Sequence, residues 1–462
     1  MSGGPQLLGP DGKPVSAGEA PRLVDAHGRA VRAGDGAGLP ERPRLRPLEL
    51  TVAHDQGRDF LVARDPLGVC ENAVMLRFEV LPLLQMLDGE STVEELAARA
   101  VAETGDMRHA DGLRAFVADL DRLYLLESER FFARRRELAA AYRALEVREP
   151  ELAGVSYPAE PDALRAFLGG HFAEARAILD AGGGPPAGAP ADPVAVAVPH
   201  LDLHRAGAAI ALGFLAVPAA PPPDLVFLLG TGHALYERTA ALTAKTVRTP
   251  LGDLAADREA VARLAQRAGE AAFEEETAFR GEHSVEFAAL YLAYRYGTHP
   301  RLVPVLCGGF HRLLDADRRP AEDPLFTALA DGLRDEAAAA RAAGRRVLFL
   351  AAVDLSHMGA RFGDAEALDG DALEEIRRTD RDALDAAATG DAEAWFDAVA
   401  AHGDATRICG YSAVYALLRA AAPGPGTLLR YEQSVEAGGS VVTCAAMAWG
   451  AAPPPHREGV PT

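Results

Sequence analysis

The sequence predicts an α/β fold: a mainly parallel sheet flanked by helices, preceded by a small α+β domain of winged-helix type. Three observations carry this. Short apolar runs rich in Val, Leu and Ala, at Val194–His200, Asp224–His233 and Arg345–His357, are too short to span a bilayer and are uninterrupted by polar residues, as in strands buried on both faces. From Val194 to Trp449 strand-like and helix-like patterns alternate, the mark of an α/β domain. Each run also ends in a histidine, and the residue ending such a strand emerges at the carboxyl edge, where open α/β sheets place their ligands. His200, His233, Asp354 and His357 are therefore expected to converge.

Composition bounds the function. The 462 residues leave room for two or three domains, and 49% hydrophobic with 25% charged residues is ordinary for a soluble globular chain. A formal net charge of −20 argues against nucleic acid or an anionic membrane as partner, since both require clustered Lys and Arg. The longest apolar run, Ala208–Ala220, contains Pro218 and is too short to cross a bilayer, and the first forty residues hold no apolar signal segment. Cys70, Cys307, Cys409 and Cys444 are widely separated without a CxxC pair, which fits reduced thiols in a cytoplasm.

In chain order, residues 1–42 are rich in Gly, Pro, Asp and Arg and read as a mobile tail. Residues 43–129 form the expected small domain. Leu48–Ala53 and Asp59–Arg64 make a hairpin around Asp55-Gln56-Gly57, Thr92 and Glu95 make a capping box, and Gly112–Leu125 is amphipathic with Leu113, Phe116, Val117, Leu120 and Leu123 at helical spacing. Ser128–Leu145 is charged and helical in pattern, so residues 130–152 read as a connector. The main domain spans 153–452, entering through the helix Asp162–Leu179 and a Gly/Pro/Ala loop at Gly182–Pro190. Residues 453–462 read as a second tail.

The stretch from about Pro43 to Glu129, LLQMLDGESTVEELAARA followed by LRAFVADLDRLYLLES, resembles the domain named after the peptide chaperone PqqD, which presents peptides to radical-enzyme partners. From about Ala153 to Trp449 the motifs SYPA, VPH with Gly207 seven residues on, LLGTGH, RTPLGDLAADREAV, EHSVEF, LVPVLCG, VDLSHMGARF, ICGYSAV and YEQS follow in one order. This run resembles the Memo family, protein B of the AmmeMemoRadiSam set. The resemblance implies the fold of the class III extradiol dioxygenases. It also implies a metal held by His200, His233 and Cys409, and association with a radical SAM enzyme and other AmmeMemoRadiSam proteins. Two motifs depart from the family pattern: Pro199-His200-Leu201-Asp202-Leu203 stands for Pro-His-Ala-Gly-Tyr, and Gly230-Thr231-Gly232-His233-Ala234 for Gly-Pro-Ser-His-His.

The residue chemistry points the same way. Two neutral imidazoles and a thiolate suit a divalent transition metal, iron foremost with copper or zinc as alternatives, and do not suit magnesium or calcium. Cys409 precedes Gly410 and the helical pattern Tyr411–Ala421, so a helix N-terminus is expected to favour its thiolate. Asp354 and His357, three apart, read as a carboxylate orienting an acid/base histidine, and Glu282 and His283 as another acid/base pair. The competing structural readings are a helix-capping Asp354 beside a packed His357, and ordinary capping by Glu282 at a helix start. Three functions follow: a redox metalloenzyme of extradiol-dioxygenase type, a metal-handling or peptide-docking partner of a radical SAM enzyme, and a cysteine hydrolase using Cys409, His357 and Asp354. His27, His171, His299, His311, His402 and His456 have no partner pattern.

Overall fold

The computed structural model describes residues 6–7, 38–55, 57–104, 106–364 and 368–453. Most of the expected 1–42 tail, nearly all of the 453–462 tail, the hairpin residue Gln56, and His27 and His456 lie outside the described residues. The chain divides into two compact units, Met1–Ala141 and Tyr142–Thr462.

In the first unit, strands β1 (Gln6–Leu7), β2 (Glu49–Asp55), β3 (Arg58–Arg64) and β4 (Val74–Arg77) form an antiparallel sheet in the order β1-β4-β3-β2. Helices α1 (Leu81–Gln85), α2 (Val93–Thr104) and α3 (Arg108–Arg122) complete a core around Leu61, Leu76, Leu96, Val117 and Leu120. The capping box forms as its residue types require: Thr92 Oγ1 accepts from the Glu95 N–H at 3.2 Å, and Glu95 accepts from the Thr92 N–H at 2.8 Å. Helix α3 begins four residues before the expected Gly112, with Asp106 bonding the Arg108 N–H at its entry. Helix α4 (Glu129–Arg143) carries the chain across the boundary.

The second unit is built on an eight-stranded mixed sheet in the order β13-β15-β6-β12-β7-β11-β8, with β14 paired to β15. Its parallel centre is β6 (Ala195–Val198), β12 (Val347–Ala352), β7 (Leu225–Thr231) and β11 (Arg301–Cys307). Every residue of β6, β7 and β12 is buried, which accounts for their continuous apolar reading. Antiparallel β8 (Ala240–Leu242) closes one edge, and β13 (His357–Met358), β14 (Gly426–Val435) and β15 (Val441–Trp449) the other. Helices α5 (Pro161–Ala181), α6 (Leu203–Ala216), α8 (His283–Tyr296) and one face of the sheet share one core, around Phe172, Phe214 and Tyr291. Helices α7 (Arg258–Ala268), α9 (His311–Asp315), α10 (Pro324–Ala342), α11 (Gly370–Ala388), α12 (Ala392–Ala400) and α13 (Tyr411–Ala421) build the core on the other face, around Phe326, Trp395 and Tyr415. Each large apolar side chain so buried contributes about 1.5–3 kcal/mol, so strand ends emerging from this double core are firmly placed. Among the described residues, no helix is long and apolar enough to cross a membrane.

The stretch 130–152, read as a connector, is helical to Arg143; the chain then enters a three-stranded sheet through β5 (Val147–Arg148), paired to β9 (Thr246–Thr249), which pairs in turn with β10 (Gly252–Leu254), and Arg148 is 1% exposed. A buried guanidinium belongs to the interior of a unit and not to a solvated spacer.

Candidate metal centre

The neighbours β6, β12 and β7 run parallel, so their carboxyl ends open on one edge of the sheet. His200 follows β6, His233 follows β7 and Asp354 follows β12. Cys409 comes from the turn before α13, where Gly410 permits a close approach: a Cβ on Gly410 would lie 2.6 Å from Val353 Cβ and 2.7 Å from the Asp354 carbonyl oxygen. Any larger residue would push the turn, and Cys409 with it, off the strand end.

Hydrogen bonds fix the tautomers. His200 is buried, and its Nδ1 lies 2.9 Å from the Ala352 carbonyl oxygen. That oxygen only accepts, so Nδ1 carries the proton and Nε2 presents a lone pair. The Nε2 atom lies 3.5 Å from Cys409 Sγ. His233 Nδ1 sits 3.1 Å from both oxygens of the fully buried Glu282 carboxylate, which also accepts the His233 backbone N–H at 3.1 Å. The His233 ring presents 38% of its surface to solvent, so the site opens on its side.

His200, His233 and Cys409 offer ligand atoms all within 4.8 Å of one another, and so do His233, Glu282 and His283. Ring orientation separates the two sets. His233 and His283 stack, with planes 19° apart and centroids 4.7 Å apart. Imidazole lone pairs lie in the ring plane, so two near-parallel rings do not converge on one ion. His200 is turned by 72° from His233, as convergence requires. A tetrahedral ion about 2.0 Å from an imidazole nitrogen and about 2.3 Å from a thiolate holds those atoms roughly 3.5 Å apart, the His200–Cys409 separation in the structure. The first donor set therefore fits a transition metal and the second does not.

Protonation follows burial and partners. His200 is held well below the usual imidazole range by burial and then by His283 and His233, so it is neutral. The partial desolvation of the His233 ring opposes charge on it, but the Glu282 carboxylate and Cys409 outweigh this and raise its pKa well above the usual value. Glu282 is correspondingly held far below the carboxylate range: burial raises it, and His233 more than reverses this. The Cys409 thiol is pushed up by burial, only partly offset by His233. The expectation that a helix N-terminus favours its thiolate is thus corrected. Cys409 lies just before the N-cap of α13, and its Sγ is 3.6 Å from the Asp354 carbonyl oxygen, an acceptor that keeps the proton on sulfur.

The structure repartners Asp354. Its Oδ1 accepts the backbone N–H groups of His200 at 3.1 Å and Leu201 at 3.2 Å, and its Oδ2 lies 3.5 Å from His200 Nε2. Burial raises its pKa to about 7 against the pull of these bonds. His357 Nδ1 is instead held by the carbonyl oxygens of Leu355 at 2.9 Å and Arg407 at 3.2 Å. Asp354 therefore orients the His200 segment, and the arrangement of Cys409, His357 and Asp354 expected of a cysteine hydrolase is not assembled. The thiol faces His200. His357 is kept below its usual range by burial, countered by the Leu355 carbonyl and reinforced by the charge on His233. His283 is lowered to about 4 by burial against the attraction of Glu282.

Glu282 caps α8 through the Ser284 N–H at 2.9 Å, as the capping reading supposed, and its carboxylate also holds His233. Sequence reasoning missed this pairing, whose signal was an acid at a helix start that burial later left without solvent. Asp202, which departs from the family pattern, caps α6 through the His204 N–H at 2.9 Å.

Residues 148–448 match the family model described as "Memo-like protein". Two similar chains are MEMO1 family proteins. That of Aquifex aeolicus is 27% identical over 334 residues, covering 71% of this chain and 79% of its own length. That of Thermus thermophilus is 30% identical over 353 residues, covering 75% of this chain and 95% of its own.

Proposed function

The chain belongs to the Memo-like family, and from that premise we propose that it is a metal-binding protein of the AmmeMemoRadiSam protein B kind. In this reading His200, His233 and Cys409 hold one divalent transition metal ion, iron foremost with copper or zinc as alternatives, at a redox site of extradiol-dioxygenase type. The observation that carries it is the pair of imidazoles with Nδ1 already committed, to Ala352 and to Glu282, and Nε2 left for an ion beside Cys409 Sγ. Such an ion supplies Lewis acidity and, for iron or copper, electron transfer, and three protein ligands leave positions for substrate.

The protein's own groups are arranged around that task. Glu282 keeps the Nδ1 proton on His233 and balances whichever positive charge, proton or metal, sits on the ring. His357, with Nδ1 tied to carbonyls and Nε2 free, is a neutral base able to take a substrate proton; His283 is a second neutral imidazole beside the ligands. Asp354 fixes the His200 backbone through Oδ1, with its Oδ2 3.5 Å from Nε2.

The test is elemental analysis of anaerobically purified parent, His200→Ala, His233→Ala and Cys409→Ala proteins. Near-stoichiometric metal in the parent, lost in the histidine variants and reduced in Cys409→Ala, is the expected result. Equal metal in all four proteins sinks the assignment.

A second reading is favoured by the first unit, whose own core lies outside the residues matched by the family model. We read it as a PqqD-like winged-helix module that docks a peptide or a radical SAM partner, with the metal centre handling metal for that partner. Oxygen consumption with phenolic or peptide substrates separates the two: turnover by metal-loaded protein supports the redox enzyme, and its absence supports the partner role.

A further inference from the structure

Arg148 is among the most deeply buried charged groups of the second unit. Its guanidinium is shared among three places: Nε donates to the Phe279 carbonyl at 3.0 Å, Nη2 donates to the Glu282 carbonyl at 3.0 Å, and Nη1 pairs with the buried Glu286 carboxylate. Glu286 in turn accepts from the Tyr157 hydroxyl at 2.5 Å and the backbone N–H groups of Leu152 at 2.9 Å and Glu151 at 3.2 Å. Residues 148–157 are thereby clamped onto the turn that leads into α8.

The two carbonyls lie on either side of that turn, and the residue at its end is Glu282, whose carboxylate holds the Nδ1 of His233. A planar guanidinium bonded at three points fixes the relative positions of all three acceptors, which a point charge does not. Building on the metal-binding reading above, we propose that Arg148 is a positioning residue for the metal centre: it sets the Glu282 backbone, Glu282 sets the His233 ring, and the ring sets the direction of Nε2. The rival account is that Arg148 only neutralises Glu286. Lysine distinguishes them, because its ammonium keeps the countercharge for Glu286 but has no fork to span both carbonyls.

The experiment uses the full chain as parent, Arg148→Lys, Glu282→Gln, the double variant and Cys409→Ala, and measures the zinc dissociation constant by competition with a chromophoric chelator. Arg148→Lys is expected to melt cooperatively, to bind one zinc ion, and to bind it roughly 10-fold more weakly or worse, as for other groups that orient a ligand from outside the coordination sphere. Glu282→Gln should lose at least as much. The double variant should bind no more weakly than Glu282→Gln alone, because Arg148 acts through Glu282. Parent-like affinity in Arg148→Lys, or losses that multiply in the double variant, would overturn the proposal. So would an Arg148→Lys protein that fails to fold while Glu282→Gln folds, since Arg148 would then serve stability alone. If the parent binds zinc no more tightly than Cys409→Ala, it is the metal-binding reading that fails, and Arg148 falls with it.

Discussion

Glu282 and His233 show how one pair sets the state of a site. The buried carboxylate favours a positive charge on the ring opposite it, and without an ion that charge is a proton. An ion at Nε2 substitutes for the proton without disturbing the Nδ1 bond, so Glu282 serves both states. His357 stands apart from this economy: its Nδ1 is held by carbonyl oxygens of Leu355 and Arg407, and it shares no ligand cluster with Cys409. His357→Ala is therefore expected to retain the parent's metal content and to lose any turnover that depends on proton transfer. Metal analysis alongside an activity assay checks this, and loss of metal in the variant would place His357 among the ligands. His200 and His233 were legible because strand-end position marks them, and Cys409 because the motif ICGYSAV resembles that of the Memo family. The partner of Asp354 was not legible, because residues three apart in sequence, Asp354 and His357, leave the strand in different directions.

At the scale of elements, the buried strands were the clearest signal, since a strand covered on both faces must be apolar at every position. β6, β7 and β12 lie inside the three runs read as strands. Short polar segments were harder: Val147–Arg148, in a run of charged residues, gave no sign that Arg148 is buried. His171, to which the sequence assigned no role, ties α5 to α8 through the Tyr291 hydroxyl at 2.7 Å and fills the space beside Gly207, where a Cβ would come within 2.5 Å of the ring. Burial first, and His204 second, lower its pKa to about 4, below the usual value of 6.5. Between these values the unfolded chain takes up the proton and the folded one does not. The contribution of His171 is therefore whole above pH 6.5 and is lost as pH falls toward 4. Thermal melting at pH 7.5 and pH 5 should show a larger drop for the parent than for His171→Gln, which keeps a hydrogen-bonding group without the titration. Equal drops would show that His171 does not titrate as described.

For the whole molecule, two units with separate cores imply two melting transitions, of which only one contains the metal centre. Zinc at about a hundredfold excess over its dissociation constant should stabilise the unit 142–462 by about 2.7 kcal/mol. Calorimetry with and without zinc should thus move one transition and leave the other in place; a shift of both, or of neither, contradicts a single site in the second unit. The α/β class and the strand-end positions of His200 and His233 followed from apolar pattern, a local property of the chain, while the choice of His200, His233 and Cys409 as candidate ligands came from the resemblance of their motifs to those of the Memo family. Which histidine faces the thiol, which carboxylate holds His233, and the protonation of Cys409 were decided only by tertiary structure. Hydrogen-bond partners from 49 to 209 residues apart, and the loss of water around them, are set by how the elements pack and leave no trace in local pattern.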